Sequence, residues 1–109
     1  MYDRDLAGIA QVETPRIAGG RSHVYHLYVI RCERRDELKE HLADQGISTV
    51  LNYPKALPFY PAYDYLGHKP KDFPEAYANQ SRILSLPIYP ELNAKEVDYV
   101  ANAIRDFYF

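Results

Sequence analysis

Lysines are the first residues to consider, because a lysine amine can form a Schiff base with a carbonyl compound. Such a lysine needs a desolvated setting that lowers its pKa toward neutrality. Four of the five lysines lie on polar faces of predicted helices or beside a proline turn, namely Lys39, Lys95, Lys69 and Lys71. Only Lys55, within the loop 52–58, could be buried by a partner surface. An ordinary exposed loop lysine is the simpler interpretation of Lys55.

The four histidines predict no metal site. His23 and His26 are three residues apart, and residues with that spacing point to opposite faces of a strand. His41 falls on a predicted helix and His68 in a loop, so no motif supplies a third ligand. We interpret all four as packing or hydrogen-bonding residues.

Cys32, the only cysteine, lies beside Arg31, Arg34 and Arg35, which could lower the pKa of its thiol. No nucleophile signature accompanies it, so we interpret it as a buried structural residue. The glycines fit neither a P-loop nor a dinucleotide fingerprint. A free-standing hydrolase would need a paired base and nucleophile, which the sequence does not offer.

The composition is that of one globular domain. The chain has 109 residues, a net charge of -2 and 47% hydrophobic residues. This charge gives none of the positive field that nucleic acids or anionic membranes require. A single cysteine allows no intrachain disulfide, and no stretch suits a signal peptide or a membrane span, so we expect a soluble, cytoplasmic protein. The eleven tyrosines suit interfaces.

Apolar periodicity predicts the elements of the first half of the chain. We expect the end of a helix at 1–9, a short extended piece at 11–15, and a central strand at 23–31 that is covered on both faces. A helix at 34–45 should end at Gly46 in the left-handed conformation, and a second strand should follow at 47–51.

Prolines and capping residues organise the second half. Residues 52–70 should form an ordered loop with at most a short helical turn at 62–66. Asp72 and Glu75 form a capping box that predicts a helix to about residue 84, with Tyr77, Ile83 and Leu84 facing inward. Asn93 and Glu96 form another, before a helix with apolar residues at 97, 100, 101, 104, 107 and 108. The prediction is an α/β (α+β) two-layer sandwich, a small sheet packed by about three helices.

Three blocks of sequence together resemble the C-terminal small domain of the DegT/DnrJ/EryC1/StrS family of sugar aminotransferases. They are Ser85-Leu86-Pro87-Ile88-Tyr89-Pro90-Glu91-Leu92, His23-Val24-Tyr25-His26-Leu27-Tyr28-Val29-Ile30-Arg31, and the run from Arg35-Asp36-Glu37-Leu38 to Gly46-Ile47. The similarity covers about residues 2–107. It implies the small domain of a fold-type I aminotransferase that uses pyridoxal phosphate.

By this resemblance, residues 1–109 are a single C-terminal small domain without the N-terminal large domain that binds the cofactor. The chain itself would then hold no catalytic, cofactor-binding or metal-binding residue. The family's small domain closes one side of the active-site cleft and contributes to a homodimer. The parent protein would transfer an amino group from an amino-acid donor, such as glutamate, to a keto-sugar nucleotide.

The resemblance also implies that residues 52–63 face the sugar nucleotide. The substrate-binding residues that it implies are Asn52, Tyr53, Lys55 and Tyr60. Pro58 stands where the family commonly has a histidine. Because proline cannot donate a hydrogen bond, Tyr60 or Lys55 would take over this role, or the substrate would differ.

A stand-alone small α/β binding or regulatory module is the alternative that composition permits. The two hypotheses differ in the expected surface. A domain that normally packs on a larger partner should present an exposed apolar face, whereas an independent module should not.

Overall fold

The structure, a computed structural model, describes residues 1–109 and confirms an α+β architecture. Its four α-helices are α1 (Tyr2–Asp5), α2 (Arg35–Asp44), α3 (Pro74–Asn79) and α4 (Ala94–Tyr108). Its three strands are β1 (Val12–Glu13), β2 (Tyr28–Cys32) and β3 (Ile83–Leu86). None of the helices combines the length and the apolar character that a membrane span requires.

The strands form one antiparallel sheet in the order β1-β2-β3, so β2 is central as predicted. In the register of β2 and β3, Tyr28 pairs with Leu86 and Ile30 pairs with Leu84. Burial alternates along β2: Tyr28, Ile30 and Cys32 are buried, and the residues between them are half-buried. The expectation that both faces would be covered is therefore met fully on one face and only in part on the other.

A single core of 16 buried residues joins the sheet to the helices α1, α2 and α4. Leu38 and Leu42 of α2, and Val97 and Ile104 of α4, are almost completely buried within it. The capping box before α4 is present, since Asn93 Oδ1 accepts the Glu96 N–H and Glu96 Oε2 accepts the Asn93 N–H. Both long helices thus lie where their apolar stripes and end signals predict them.

The predicted strand 23–31 is correct only in its second half. Tyr25 has a φ of 51°, in the left-handed region, and its N–H donates to His23 Nδ1 at 2.8 Å. This local turn interrupts the extended backbone, so residues 23–27 lie outside the sheet and Val24 is 93% exposed. The predicted strand 47–51 is also wrong, because only Val50 pairs, in an isolated bridge with Ser85.

The predicted helix from Asp72 to about residue 84 is much shorter. Asp72 Oδ2 accepts the Lys69 N–H at 2.7 Å and so caps a preceding 3-10 turn, Pro70–Asp72, rather than α3. Helix α3 ends at Asn79, Tyr77 is exposed, and residues 83 and 84 belong to β3. Two further 3-10 turns, Leu57–Phe59 and Pro61–Leu66, lie in the proline-rich loop. The expectation of at most one short helical turn, at 62–66, is therefore wrong, because a proline at the first or second position also begins a turn at Leu57.

Candidate functional site

Asn52 begins the candidate site two residues after Val50, which forms a bridge with Ser85. Its Oδ1 accepts a hydrogen bond from Ser85 Oγ at 2.7 Å, and Ser85 is a buried residue of β3. Buried polar groups are costly unless they are hydrogen-bonded, so this pair fixes the start of the loop against the sheet. The Asn52 oxygen is therefore already used within the chain, whereas its amide N–H groups make no hydrogen bond to the protein.

Tyr53 and Lys55 line the same cleft, which has a volume of about 200 Å³. Its other walls come from the loop, from α3 and from β3, and the residues are Ala56, Leu57, Ala76, Asn79, Gln80 and Ile83. Tyr53 is 69% exposed and Lys55 is also exposed, so both can contact a molecule that arrives from solvent. The walls are largely apolar, with a few polar groups that could orient a ligand.

Asn79 adds a polar feature that the sequence did not indicate. It lines the cleft of Tyr53 and Lys55, and its Oδ1 is buried without a hydrogen-bond donor. A buried acceptor without a partner is uncommon in native proteins and is unfavourable.

Tyr60 lies apart from the cleft. It is half-buried, adopts an extended conformation between the 3-10 turns Leu57–Phe59 and Pro61–Leu66, and accepts the Tyr63 N–H through its backbone oxygen. The structure thus brings Tyr53 and Lys55 together, attaches Asn52 to the sheet beside them, and places Tyr60 beyond the first turn.

The lysines of this chain do not fit a Schiff-base site. Lys39 is half-buried, and its Nζ donates to the Thr49 backbone oxygen at 3.2 Å. The other four are exposed, including Lys55. Within residues 1–109 by themselves, none has the desolvated environment that a neutral, nucleophilic amine needs.

His41 and Cys32 have structural contacts. His41 Nε2 lies 3.0 Å from the Ala103 oxygen, and its ring packs on Phe107. Cys32 is fully buried, as predicted, and its Sγ donates to the Arg82 oxygen at 3.6 Å. Burial raises the pKa of the Cys32 thiol despite nearby arginines, so it is not an activated nucleophile.

Residues 53–77 carry many exposed aromatic and leucine side chains, which together are called the exposed aromatic surface. Large apolar side chains between residues 53 and 77 are exposed to solvent, namely Tyr53, Leu57, Tyr63, Tyr65, Leu66, Phe73 and Tyr77. Isolated exposed apolar residues are normal in proteins, but so many within one segment are typical of a surface that binds another surface.

Sequence comparison relates this chain to one family of known proteins. Residues 1–105 match the model of the DegT/DnrJ/EryC1/StrS aminotransferase family. A dTDP-3-amino-3,4,6-trideoxy-alpha-D-glucose transaminase of Streptomyces venezuelae is 37% identical over 97% of this chain, and a "pleiotropic regulatory protein" of Geobacillus stearothermophilus is 43% identical over 89%. The match spans only 28% and 26% of those two proteins, respectively.

A solved structure is similar over almost the whole chain. It is Streptomyces venezuelae DesV in complex with a ketimine intermediate, which is 36% identical and superimposes with a TM-score of 0.92. The superposition covers 98% of this chain and 29% of DesV. The present chain therefore corresponds to somewhat more than a quarter of the proteins it resembles.

Proposed function

Because this chain belongs to the DegT/DnrJ/EryC1/StrS aminotransferase family, we propose that it is the C-terminal small domain of an enzyme that aminates a keto-sugar nucleotide. In this proposal the amino group comes from an amino acid such as glutamate. The match to about 28% of a dTDP-sugar transaminase is the observation that carries the proposal.

Pyridoxal phosphate is the cofactor we propose for the parent protein, in which it would serve as an electron sink while the amino group is transferred. The exposed or half-buried lysines of this chain do not fit the cofactor. We therefore assign its binding to a large domain outside residues 1–109, and no catalytic step to the residues of this chain.

The proposed role of the cleft beside α3 is to bind part of the sugar nucleotide. The Lys55 ammonium, exposed at the cleft, is suited to a phosphate oxygen, and Tyr53 offers both a ring face and a hydroxyl group. Asn79 also lines this cleft. Tyr60 and the free N–H groups of Asn52 would contribute from the edge of the site.

The extent of the surface favours a domain that packs on a partner over a stand-alone module. The chain has an accessible surface of 7402 Å², whereas a compact monomer of 12.7 kDa has about 6,200 Å². Its radius of gyration is 15.4 Å, compared with about 13 Å for a compact domain of this length. We propose that the large domain and a second subunit of a homodimer cover the exposed aromatic surface at residues 53–77.

A cytoplasmic location is part of the same proposal. It is supported by Cys32, whose free thiol is compatible with a reducing compartment.

The function is tested with the full-length protein. Purified protein loaded with pyridoxal phosphate is incubated with glutamate and a panel of dTDP- and UDP-keto-sugars, and the formation of an amino sugar is measured by mass spectrometry. We expect amination of at least one keto-sugar nucleotide. If none is aminated, the proposal is wrong.

The alternative module is tested with residues 1–109 alone. A hydrophobic dye should bind the 53–77 surface of this chain, and binding should fall when Tyr65 and Phe73, both exposed, are changed to serine. Absence of dye binding by the unaltered chain would favour an independent module.

A further inference from the structure

We propose that Gln80 is a positioning residue that holds the cleft segment 53–57 in the conformation that binds the sugar nucleotide. This inference rests on the proposed function, which it deepens by naming the residue that preorganises the substrate site. Gln80 lies at the end of α3, 24 residues from the loop position that it contacts.

The contact is a hydrogen bond between a side chain and the loop backbone. Gln80 Oε1 accepts the N–H of Ala56 at 2.9 Å, and both residues are half-buried. Ala56 directly follows Lys55 and also begins the first 3-10 turn, because its backbone oxygen accepts the Phe59 N–H at 3.0 Å. Fixing the Ala56 amide therefore fixes the backbone that presents Lys55 and the turn that follows.

Gln80 is itself held in place by a buried guanidinium group. Arg35, at the start of α2, is only 7% exposed, and its Nη1 donates to the backbone oxygens of Gln80 at 3.1 Å and of Ile83 at 2.9 Å. Hydrogen bonds from a charged donor are stronger than neutral ones. Arg35 thus fixes the turn between α3 and β3, and Gln80 extends this constraint to the loop.

Ser85 anchors the other end of the same segment through Asn52. Tyr53 and Lys55 lie between the two anchors, where both line the cleft. A segment held at both ends loses less conformational freedom when a ligand binds, and preorganisation of this kind raises affinity. Loss of the Gln80 anchor should lower the fraction of molecules in the binding-competent conformation, and apparent affinity falls by that same fraction.

If Gln80 is a positioning residue, replacing it should impair the reaction with the keto-sugar nucleotide and not the reaction with the amino-acid donor. The amino-acid donor and the keto-sugar nucleotide react in separate half-reactions, and only the second would use the cleft. A general loss of structure would impair both half-reactions. The comparison of the two therefore separates positioning from damage to the fold.

The experiment uses the full-length protein with Gln80→Leu, which removes the acceptor, and Gln80→Glu, which keeps an oxygen for the same N–H. Gln45→Leu, at an exposed position after α2, is the matched control. For Gln80→Leu we expect kcat/KM for the keto-sugar nucleotide to fall about tenfold, with the glutamate half-reaction within twofold of the unaltered protein. Gln80→Glu should recover most of the loss, and Gln45→Leu should show none.

Hydrogen exchange gives a second readout that does not depend on activity. In the ligand-free full-length protein, the Ala56 amide should exchange about tenfold faster in Gln80→Leu than in the unaltered protein or in Gln45→Leu. Unchanged exchange at Ala56 would overturn the inference, as would an equal loss in both half-reactions. If the unaltered protein aminates no sugar nucleotide, the proposed function fails, and exchange at Ala56 alone decides whether Gln80 holds the loop.

Discussion

Replacing Ser85 by alanine should loosen the candidate site from the sheet without disturbing the core. Ser85 is 4% exposed, and its hydroxyl group donates to Asn52 Oδ1 at 2.7 Å. Its backbone pairs with Val50 in both directions, at 3.2 and 2.8 Å. The substitution removes only the hydroxyl group, so it breaks the side-chain hydrogen bond and leaves the backbone bridge intact.

The expected magnitude follows from burial. A neutral hydrogen bond contributes about 0.5–1.5 kcal/mol net, and an acceptor left without a partner in a buried place adds to the loss. Asn52 is half-buried, so water can reach its oxygen in part and limits the added loss. We expect the free energy of local opening of the Val50–Ser85 bridge to fall by about 1 kcal/mol. This corresponds to roughly fivefold faster exchange of the Val50 and Ser85 amides.

Hydrogen exchange of the Val50 and Ser85 amides, measured by NMR on residues 1–109, is the assay. Ser81→Ala is the matched control, because Ser81 is an exposed serine whose hydroxyl group lies 3.4 Å from the Ala78 oxygen. The Ser85 variant should accelerate exchange at the bridge and the Ser81 variant should not. Equal exchange rates in the two variants would refute the view that the Asn52–Ser85 hydrogen bond anchors the loop.

Three further predictions concern the core and its titrating groups. Ile104→Ala should destabilise residues 1–109 by about 2–5 kcal/mol in urea unfolding, because Ile104 is fully buried, whereas Asp106→Ala on the exposed face of α4 should change stability by less than about 0.5 kcal/mol. Burial, with smaller effects of nearby negative charge, raises the pKa of Tyr2 from 10.0 to about 12 and raises that of Tyr28 as well. Because these pKa values are higher in the folded chain than in the unfolded chain, the stability they contribute is complete below pH 10 and is lost as pH rises toward 12, which circular dichroism would show as alkaline unfolding. Cys32 should react with iodoacetamide at pH 8 only after denaturation, and rapid labelling of the native chain would contradict its burial and raised pKa.

Sequence predicted best those elements whose signals are local. Helix α4 begins at a capping box of Asn93 and Glu96 and repeats its apolar residues with a helical period, and both signals lie within the helix itself. The signal for the end of α2 is also local, because Gly46, which follows the last turn, adopts a φ of 78°. The family resemblance rested on three separate blocks, and the comparisons confirm it.

The errors concern segments whose structure depends on distant partners. Ile83 and Leu84 continue an apolar pattern that also fits a helix, and only pairing with β2 makes them a strand. Residues 47–51 look like a strand, but β3 offers Ser85 alone as a pairing partner there. A short apolar run does not determine its own conformation when the partner lies far along the chain.

For the candidate site, the sequence identified the loop but not what holds it. Tyr53 and Lys55 do share a cleft. The anchors Gln80 and Ser85 were missed as site residues, because each contacts the loop across a separation of 24 or 33 residues. Ser85 begins a block that carries the family resemblance, but that block does not indicate its contact with Asn52. An amide or hydroxyl side chain in these positions has no sequence signal that distinguishes it from an ordinary surface residue.

The order of the strands also has a consequence for the growing chain during translation. β2 ends at Cys32 and its partner β3 begins at Ile83, so about 50 residues must leave the ribosome before the pair can form. At a translation rate of roughly 5–20 residues per second, the edge of β2 that pairs with β3 remains unpaired for about 3–10 seconds. During that interval the buried side chains of β2 have neither β3 nor α4 to cover them, so we expect this nascent stretch to be the part of the chain most exposed to aggregation.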